Sequence, residues 1–262
     1  MTIDVKKAAR LLLEVRATGM RIAELPDDCR PTNLDDAYAI QSEVQGQLKD
    51  ATEGAVIGYK VGAAADGAMK NFGLEEPFAG TLLDQFMLES PAGIPSDGCF
   101  VRVIECEYAF KMADDFLPAA APYDLDAIVA GVASLVLSIE VVDSRYTDAS
   151  KVGGLQVIAD SGGAGYWIKG PEVTDFHDVD FEDASVSLLV NGEEAATGQS
   201  SNVYGSPLNS LAWLVNHVCL SGREVKAGHY ITVGTFNTPM PVNPGDYVIA
   251  DFGQLGKVEV GF

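Results

Sequence analysis

In the segment FVRVIECEYAF, Glu105 and Glu107 stand one residue apart among apolar neighbours. Strand alternation puts Val103, Glu105, Glu107 and Ala109 on one face and Arg102, Ile104, Cys106, Tyr108 and Phe110 on the other. Two adjacent carboxylates in apolar surroundings repel one another, and each is costly to bury ionised without a counter-charge. Glu140, amid Leu137, Ile139, Val141 and Val142 of LVLSIEVVDSRY, carries the same cost. A cation shared by Glu105, Glu107 and Glu140 answers all three demands, and an all-oxygen donor set favours Mg2+ or Mn2+ over zinc. The pattern E-x-E is short and common, so spacing leaves a second reading open. In it, Glu105 and Glu107 face water on a half-exposed sheet and Glu140 pairs with Arg145 or Arg102.

Lys60, in GYKVG, also has two readings. It is an active-site cation reached past the small Gly58 and Gly62, or a strand-edge lysine whose stem covers apolar surface while its head reaches water. Arg145 and Asp143 follow Glu140 closely, and they either support the carboxylate site or pair with each other at the surface.

The elements that must position these residues follow from periodicity and punctuation. Val5 to Thr18 and a segment capped by Asn33 read as two leading helices. After Gly54, short apolar runs broken by glycine and proline predict strands at AVIGYKVG, FAGTLLDQFML and CFVRVIECEYAFKM. A short helix then runs into a buried strand over Leu135 to Val142, and a glycine-rich loop is expected from Thr147 to Gly165. Asn191-Gly192 marks a hairpin, Leu211, Leu214, Val215 and Val218 form a helical stripe after Pro207, and three strands close the chain. The order predicts an α+β fold, with an N-terminal helical segment at 1–54 and a catalytic portion at 55–262 forming one compact unit.

Composition narrows the function. The formal charge of -21 at pH 7 leaves no basic surface for a phosphate backbone, so nucleic-acid binding is not expected. No apolar stretch reaches the roughly 18 residues of a membrane span. The N-terminus reads as an amphipathic helix rather than a signal peptide, and Cys29, Cys99, Cys106 and Cys219 show no zinc spacing. A soluble, cytoplasmic protein with reduced thiols is the expectation.

Motif order adds a resemblance. Gly58 to Gly62 (GYKVG), Glu105 to Glu107 (ECE), Ile139 to Arg145 (IEVVDSR), Gly205 to Leu214 and the PVxPGD of Pro241 to Asp246 resemble the 2-hydroxypentadienoate (2-oxopent-4-enoate) hydratases of the fumarylacetoacetate hydrolase superfamily. That resemblance spans nearly the whole chain. It implies a mixed β-roll with helices packed around it, Mg2+ or Mn2+ on Glu105, Glu107 and Glu140, and Lys60 as an active-site acid or base. It further implies a 2-oxo acid substrate and homo-oligomers.

The chain departs from the family at two points. Pro77-Phe78-Ala79-Gly80 has phenylalanine where P-D-F-G carries an acid, and Ala159-Asp160-Ser161-Gly162-Gly163 has glycine where A-D-N-A-S ends in serine. Asp84 and Ser161 are the residues that could restore the two lost groups after a loop shift, and Phe78, Asp84, Arg145, Asp160 and Ser161 are the expected substrate-binding or supporting residues. Three functions follow from the resemblance: hydration of a 2-hydroxy-2,4-dienoate, decarboxylation of a 2-oxo-3-enedioate, or binding of an oxo acid by a non-catalytic homologue beside a partner decarboxylase or hydratase. The C–C hydrolase branch is disfavoured, since the first histidine is His177 and no early histidine can activate water.

Overall fold

The structure, a computed structural model, describes residues 3–262 with the side chain of Asp66 aside. Two helices lead, α1 (Val5–Thr18) and α2 (Leu34–Thr52). Asp4 accepts from the Lys7 N–H and Asn33 from the Asp36 N–H, both at 2.9 Å, and each cap is worth ~1 kcal/mol. Ala8 and Leu12 of α1 and Ile40 of α2 pack with Leu25, Cys29, Tyr146 and Ala159, which fastens the helices to the rest of the chain.

The remaining elements are β1 (Val56–Gly62), α3 (Asp66–Phe72), β2 (Phe78–Leu83), β3 (Met87–Glu89), β4 (Ala92–Gly93), β5 (Val103–Met112), α4 (Leu125–Ala130), β6 (Val132–Val142), α5 (Gly154–Ala159), β7 (Ala164–Val173), β8 (Ser185–Val190), β9 (Glu193–Gln199), α6 (Pro207–Leu220), β10 (Tyr230–Thr235), β11 (Met240–Pro241), β12 (Tyr247–Asp251) and β13 (Lys257–Gly261). The main sheet runs β2-β1-β10-β5-β6-β7-β3 with β11 on β5, and a smaller sheet runs β4-β13-β12-β8-β9. Parallel pairing of β1 with β10 and of β3 with β7, among otherwise antiparallel neighbours, makes the main sheet mixed. This is the α+β architecture expected from element order.

One face of the main sheet forms the principal core. Ile104, Cys106, Tyr108 and Phe110 of β5 and Leu135, Leu137, Ile139 and Val141 of β6 meet the inner face of the small sheet and the stripe of α6. Each large side chain so buried contributes ~1.5–3 kcal/mol. The alternation read from FVRVIECEYAF therefore holds, and the residues between these core positions point to the opposite face. There α2 and α5 dock on β2, and buried Gln41 of α2 donates to the Ala79 carbonyl at 3.0 Å and the Ile158 carbonyl at 2.9 Å.

Three local expectations need correction. The stretch 147–165 contains α5 and two short 3-10 turns instead of an open loop, β6 begins at Val132 instead of Leu135, and α3 was not foreseen. The hairpin is as read, with Asn191 and Gly192 both at positive φ, 54 and 85. The four cysteines are buried and free, and no helix among the described residues is long and apolar enough to cross a membrane.

Candidate active site

Glu105 lies opposite Glu140, and Glu107 opposite Ser138, in the antiparallel β5–β6 ladder. The three glutamates thus leave one face of two adjacent strands, each offering an oxygen within 4.8 Å of the others. Asn237 holds this register where β10 leaves β5: its Oδ1 accepts from the Cys106 N–H at 2.8 Å and its Nδ2 donates to the Ile104 carbonyl at 3.2 Å. Glu107 is 0% and Glu140 4% exposed, and Glu105 is partly buried. The solvent-facing reading is therefore excluded, and Glu140 pairs with neither Arg145 nor Arg102.

Its partner is Lys60, whose Nζ donates to Glu140 Oε1. In a flat sheet β1 and β6, separated by β10 and β5, would stand ~14 Å apart, so this contact requires the sheet to curl its carboxylate face inward. Lys60 is 2% exposed, which removes the strand-edge reading. Gly80, paired with Lys60 across β1–β2, clears its path, since a Cβ there would stand 2.8 Å from Lys60 Cγ.

The electrostatics follow from crowding. Burial first, then the charge of Glu140, pushes the Glu105 carboxyl up to about 7 against the opposing pull of Lys60. Burial, Glu140 and Glu105 raise Glu107 well above the carboxylate range. Burial alone would lower Lys60, but Glu140, Glu105 and Glu107 together outweigh it and hold its pKa above the ordinary lysine value. Without a metal these carboxylates therefore favour the ammonium form of Lys60, and a metal ion on the same carboxylates would act in the opposite sense.

The donor set fits a divalent cation. Both Glu107 oxygens are buried without a hydrogen-bond partner, as are the Thr232 hydroxyl and the Trp167 indole N–H beside them. Thr232 pairs with Lys60 and with Ala109, and Trp167 pairs with Glu140, so these four atoms belong to this region of the sheet, the two Glu107 oxygens being the ones a cation would bind, while the other three unpartnered atoms among the described residues lie on Arg21 and Arg102. Buried polar atoms are rarely left unsatisfied. A hard cation accepts carboxylate oxygens and cancels the repulsion that raises Glu105 and Glu107.

A narrow cleft with a cavity volume of about 50 Å³ lies over this face. Glu140, Thr232 and Trp167 form part of its floor, while Leu12 and Arg16 of α1 and Gln45 of α2 contribute a wall. Asp160, Ser161 and Arg145 also line it. Ser161, at a positive φ of 53, accepts from Gln45 Nε2 at 3.0 Å. Arg145 is locked by Asp160 Oδ1 at 2.5 Å and by the carbonyls of Asp143, Asp160 and Ala164. Its partner is thus Asp160, and Asp143 binds Arg21 at 2.6 Å, which removes the reading in which Arg145 and Asp143 pair with each other at the surface.

Phe78 flanks Lys60 across Gly162, where a Cβ would stand 2.8 Å from Phe78 Cζ and 3.6 Å from Lys60 Nζ, whereas Asp84 lies elsewhere. The Phe78 ring is buried with Ala37, Val157 and Ile158, against the position a Gly62 side chain would need. Asp84 is exposed and accepts from the Ala55 and Gln85 N–H groups at 3.0 and 2.8 Å. Gly58 and Gly62 admit the Tyr230 carbonyl and the Phe78 ring rather than a ligand. His217 stacks on Trp213, as befits a histidine outside the site.

Sequence reading missed Arg16, Gln45, Trp167 and Thr232. Arg16 had a signal: it follows Leu12 by one helical turn and so shares the buried stripe of α1. Thr232 had a weaker one, a polar residue in an apolar strand.

Residues 103–262 match the family described as fumarylacetoacetate (FAA) hydrolase C-terminal. The chain is 28% identical over 257 residues to a 2-keto-4-pentenoate hydratase of Paraburkholderia xenovorans, covering 98% of this chain and 94% of that one. It is 28% identical over 242 residues to a 4-oxalocrotonate decarboxylase of Pseudomonas putida, covering 92% and 90%. A solved structure of 4-oxalocrotonate decarboxylase from Pseudomonas putida G7, complexed with magnesium and adipate, superposes with a TM-score of 0.90 at 27% identity, over 98% of this chain and 97% of that one.

Proposed function

This chain belongs to the fumarylacetoacetate hydrolase family, and on that premise we propose that it is a divalent-metal-dependent lyase, a hydratase converting a 2-hydroxy-2,4-dienoate to a 4-hydroxy-2-oxo acid in aromatic-compound breakdown. The observation that carries this reading is the meeting of three carboxylates with a buried lysine, beside a cleft that Glu140 lines. Glu105, Glu107 and Glu140 hold Mg2+ or Mn2+, which when bound polarises the 2-oxo group of the substrate as a Lewis acid.

The chain's own residues supply the rest. Lys60 delivers a proton to C5 as the dienol becomes the 2-oxo-3-enoate, and the enol hydroxyl gives up its proton. Water then adds its oxygen to C4 and a proton to C3, leaving the 4-hydroxy-2-oxo acid. Leu12 and Trp167 flank the carbon chain, and Ser161, oriented by Gln45, offers a hydroxyl at the wall. Arg145 and Asp160 shape that wall as a closed pair. Residues 1–54 form one unit with 55–262, because α1 and α2 complete the cleft. The enzyme works in the cytoplasm as a homo-oligomer, on a small 2-oxo acid and beside a partner decarboxylase.

Decarboxylation of a 2-oxo-3-enedioate is the second reading. It is favoured by the full-length likeness to a decarboxylase. Incubation with Mg2+ and a panel of dienols and enedioates separates the two: loss of dienol absorbance without carbon dioxide supports hydration. Carbon dioxide release supports decarboxylation, and absence of turnover leaves an oxo-acid-binding homologue.

A further inference from the structure

Three arginines and two aspartates meet at the end of the cleft formed by α1 and the start of β7. Arg145 is paired with Asp160, and Arg21 with Asp143. Arg16 is left over: its Nη2 donates to the Ala164 carbonyl, its guanidinium lies 4.6 Å from the centre of the Phe86 ring, and among the described residues no carboxylate forms an ion pair with it. The side chain nonetheless lines the same cleft as Glu140. Val142 pairs with Ala164 and lies two residues along β6 from Glu140, ~7 Å by strand rise, so Arg16 and Glu140 stand along one stretch of the same cleft. Between them the walls are apolar, with Leu12, Val44, Leu48 and Leu82.

We propose that Arg16 is a specificity-determining residue that binds a second carboxylate at the far end of the substrate, so that the site takes a 2-oxo diacid in preference to a 2-oxo monoacid. This rests on the reading of the glutamate trio as the anchor for the oxo-acid end. A guanidinium already held by a carbonyl and an aromatic face has lost little freedom still to be lost, and carboxylate is the group its planar donors match. Burial, then Arg145, lowers the Arg16 pKa to about 9, which marks an unneutralised cation that remains charged at neutral pH. Both hydration and decarboxylation are compatible with such a substrate.

The test is calorimetric titration of the magnesium-saturated protein with 2-oxoadipate and 2-oxohexanoate, which share the oxo-acid end and differ in the far carboxylate. The wild-type protein is expected to bind 2-oxoadipate at least ~10-fold more tightly, as a desolvated charge-assisted pair allows. Arg16→Gln should abolish that ratio while leaving 2-oxohexanoate within ~2-fold, and Arg16→Lys should keep part of it. A wild-type ratio near one overturns the inference without any variant. So does an Arg16→Gln protein that weakens both ligands equally, which would mean that Arg16 only positions α1, and so does failure of both ligands to bind. Dienol turnover distinguishes the two levels: pentadienoate hydration without diacid preference removes this inference alone, and diacid preference without turnover removes the hydratase reading alone.

Discussion

Replacing Glu107 by glutamine should stabilise the metal-free protein and abolish its response to metal. Glu107 is fully buried, neither of its oxygens is hydrogen-bonded, and its neighbours Glu105 and Glu140 offer oxygens within 4.8 Å. Burial, Glu140 and Glu105 favour the neutral Glu107 carboxyl, and holding an ordinary carboxyl neutral at pH 7 costs about 3.5 kcal/mol at ~1.4 kcal/mol per pH unit, a cost that glutamine does not carry. The new amide brings a buried N–H with no partner, costing ~1–3 kcal/mol, which leaves a net gain of about 0.5–2.5 kcal/mol. For a chain of this size each kcal/mol moves the melting temperature by ~2–4 °C. Wild type should instead gain about 2.7 kcal/mol from magnesium at a hundred times its Kd. Differential scanning calorimetry in EDTA and in magnesium should therefore show the two proteins exchange rank: the variant melts higher without metal and the wild type higher with it. A variant that melts lower in EDTA, or keeps the magnesium shift, would refute the reasoning, because Glu107 would then be a satisfied structural carboxylate.

Three further outcomes are expected. Lys60→Met should lower kcat by ~10²–10⁴ while magnesium still raises the melting temperature, since the lysine moves a proton and is not a ligand. Gly80→Ala brings a methyl group 2.8 Å from Lys60 Cγ, and displacing that stem should cost ~100-fold in kcat with metal binding retained, as steady-state kinetics and calorimetry together would show. The magnesium-induced rise in melting temperature should grow between pH 5 and pH 8. The Glu105 carboxyl, raised to about 7, lets the metal-free fold keep stability below the ordinary carboxylate pKa and lose it as pH climbs to about 7, and metal binding requires the deprotonated form. A magnesium shift that shrinks with rising pH would contradict the sign.

Much of the site was legible because strand alternation is local. Glu105 and Glu107 had to share a face once FVRVIECEYAF was a strand, and the cost of burying Glu140 pointed to a counter-charge. That Glu140 lies directly opposite Glu105, and that Lys60 reaches it across two intervening strands, depends on long-range pairing and on sheet curl, neither of which is encoded in any short window. Family resemblance supplied that link. The short α5 was hidden by the glycines at 153, 154, 162 and 163, which read as loop. Arg16 was passed over because a charged residue on an amphipathic helix is ordinarily solvated, and its burial becomes visible only once α1 is seen closing the cleft. Phe78 reads from sequence as an apolar residue entering the pocket, and its ring both packs with Val157 and Ile158 of α5 and flanks Lys60 across Gly162.

The claim on which everything else depends is that Glu105, Glu107 and Glu140 together hold one divalent cation beside the cleft that Glu140 lines. Anomalous diffraction from crystals grown with Mn2+ tests it directly. The account predicts one strong manganese peak bonded to an oxygen of each glutamate, with the Glu107 carboxylate satisfied by the metal. A peak elsewhere, or none while Glu107 keeps both oxygens unbonded beside the Lys60–Glu140 pair, would contradict it.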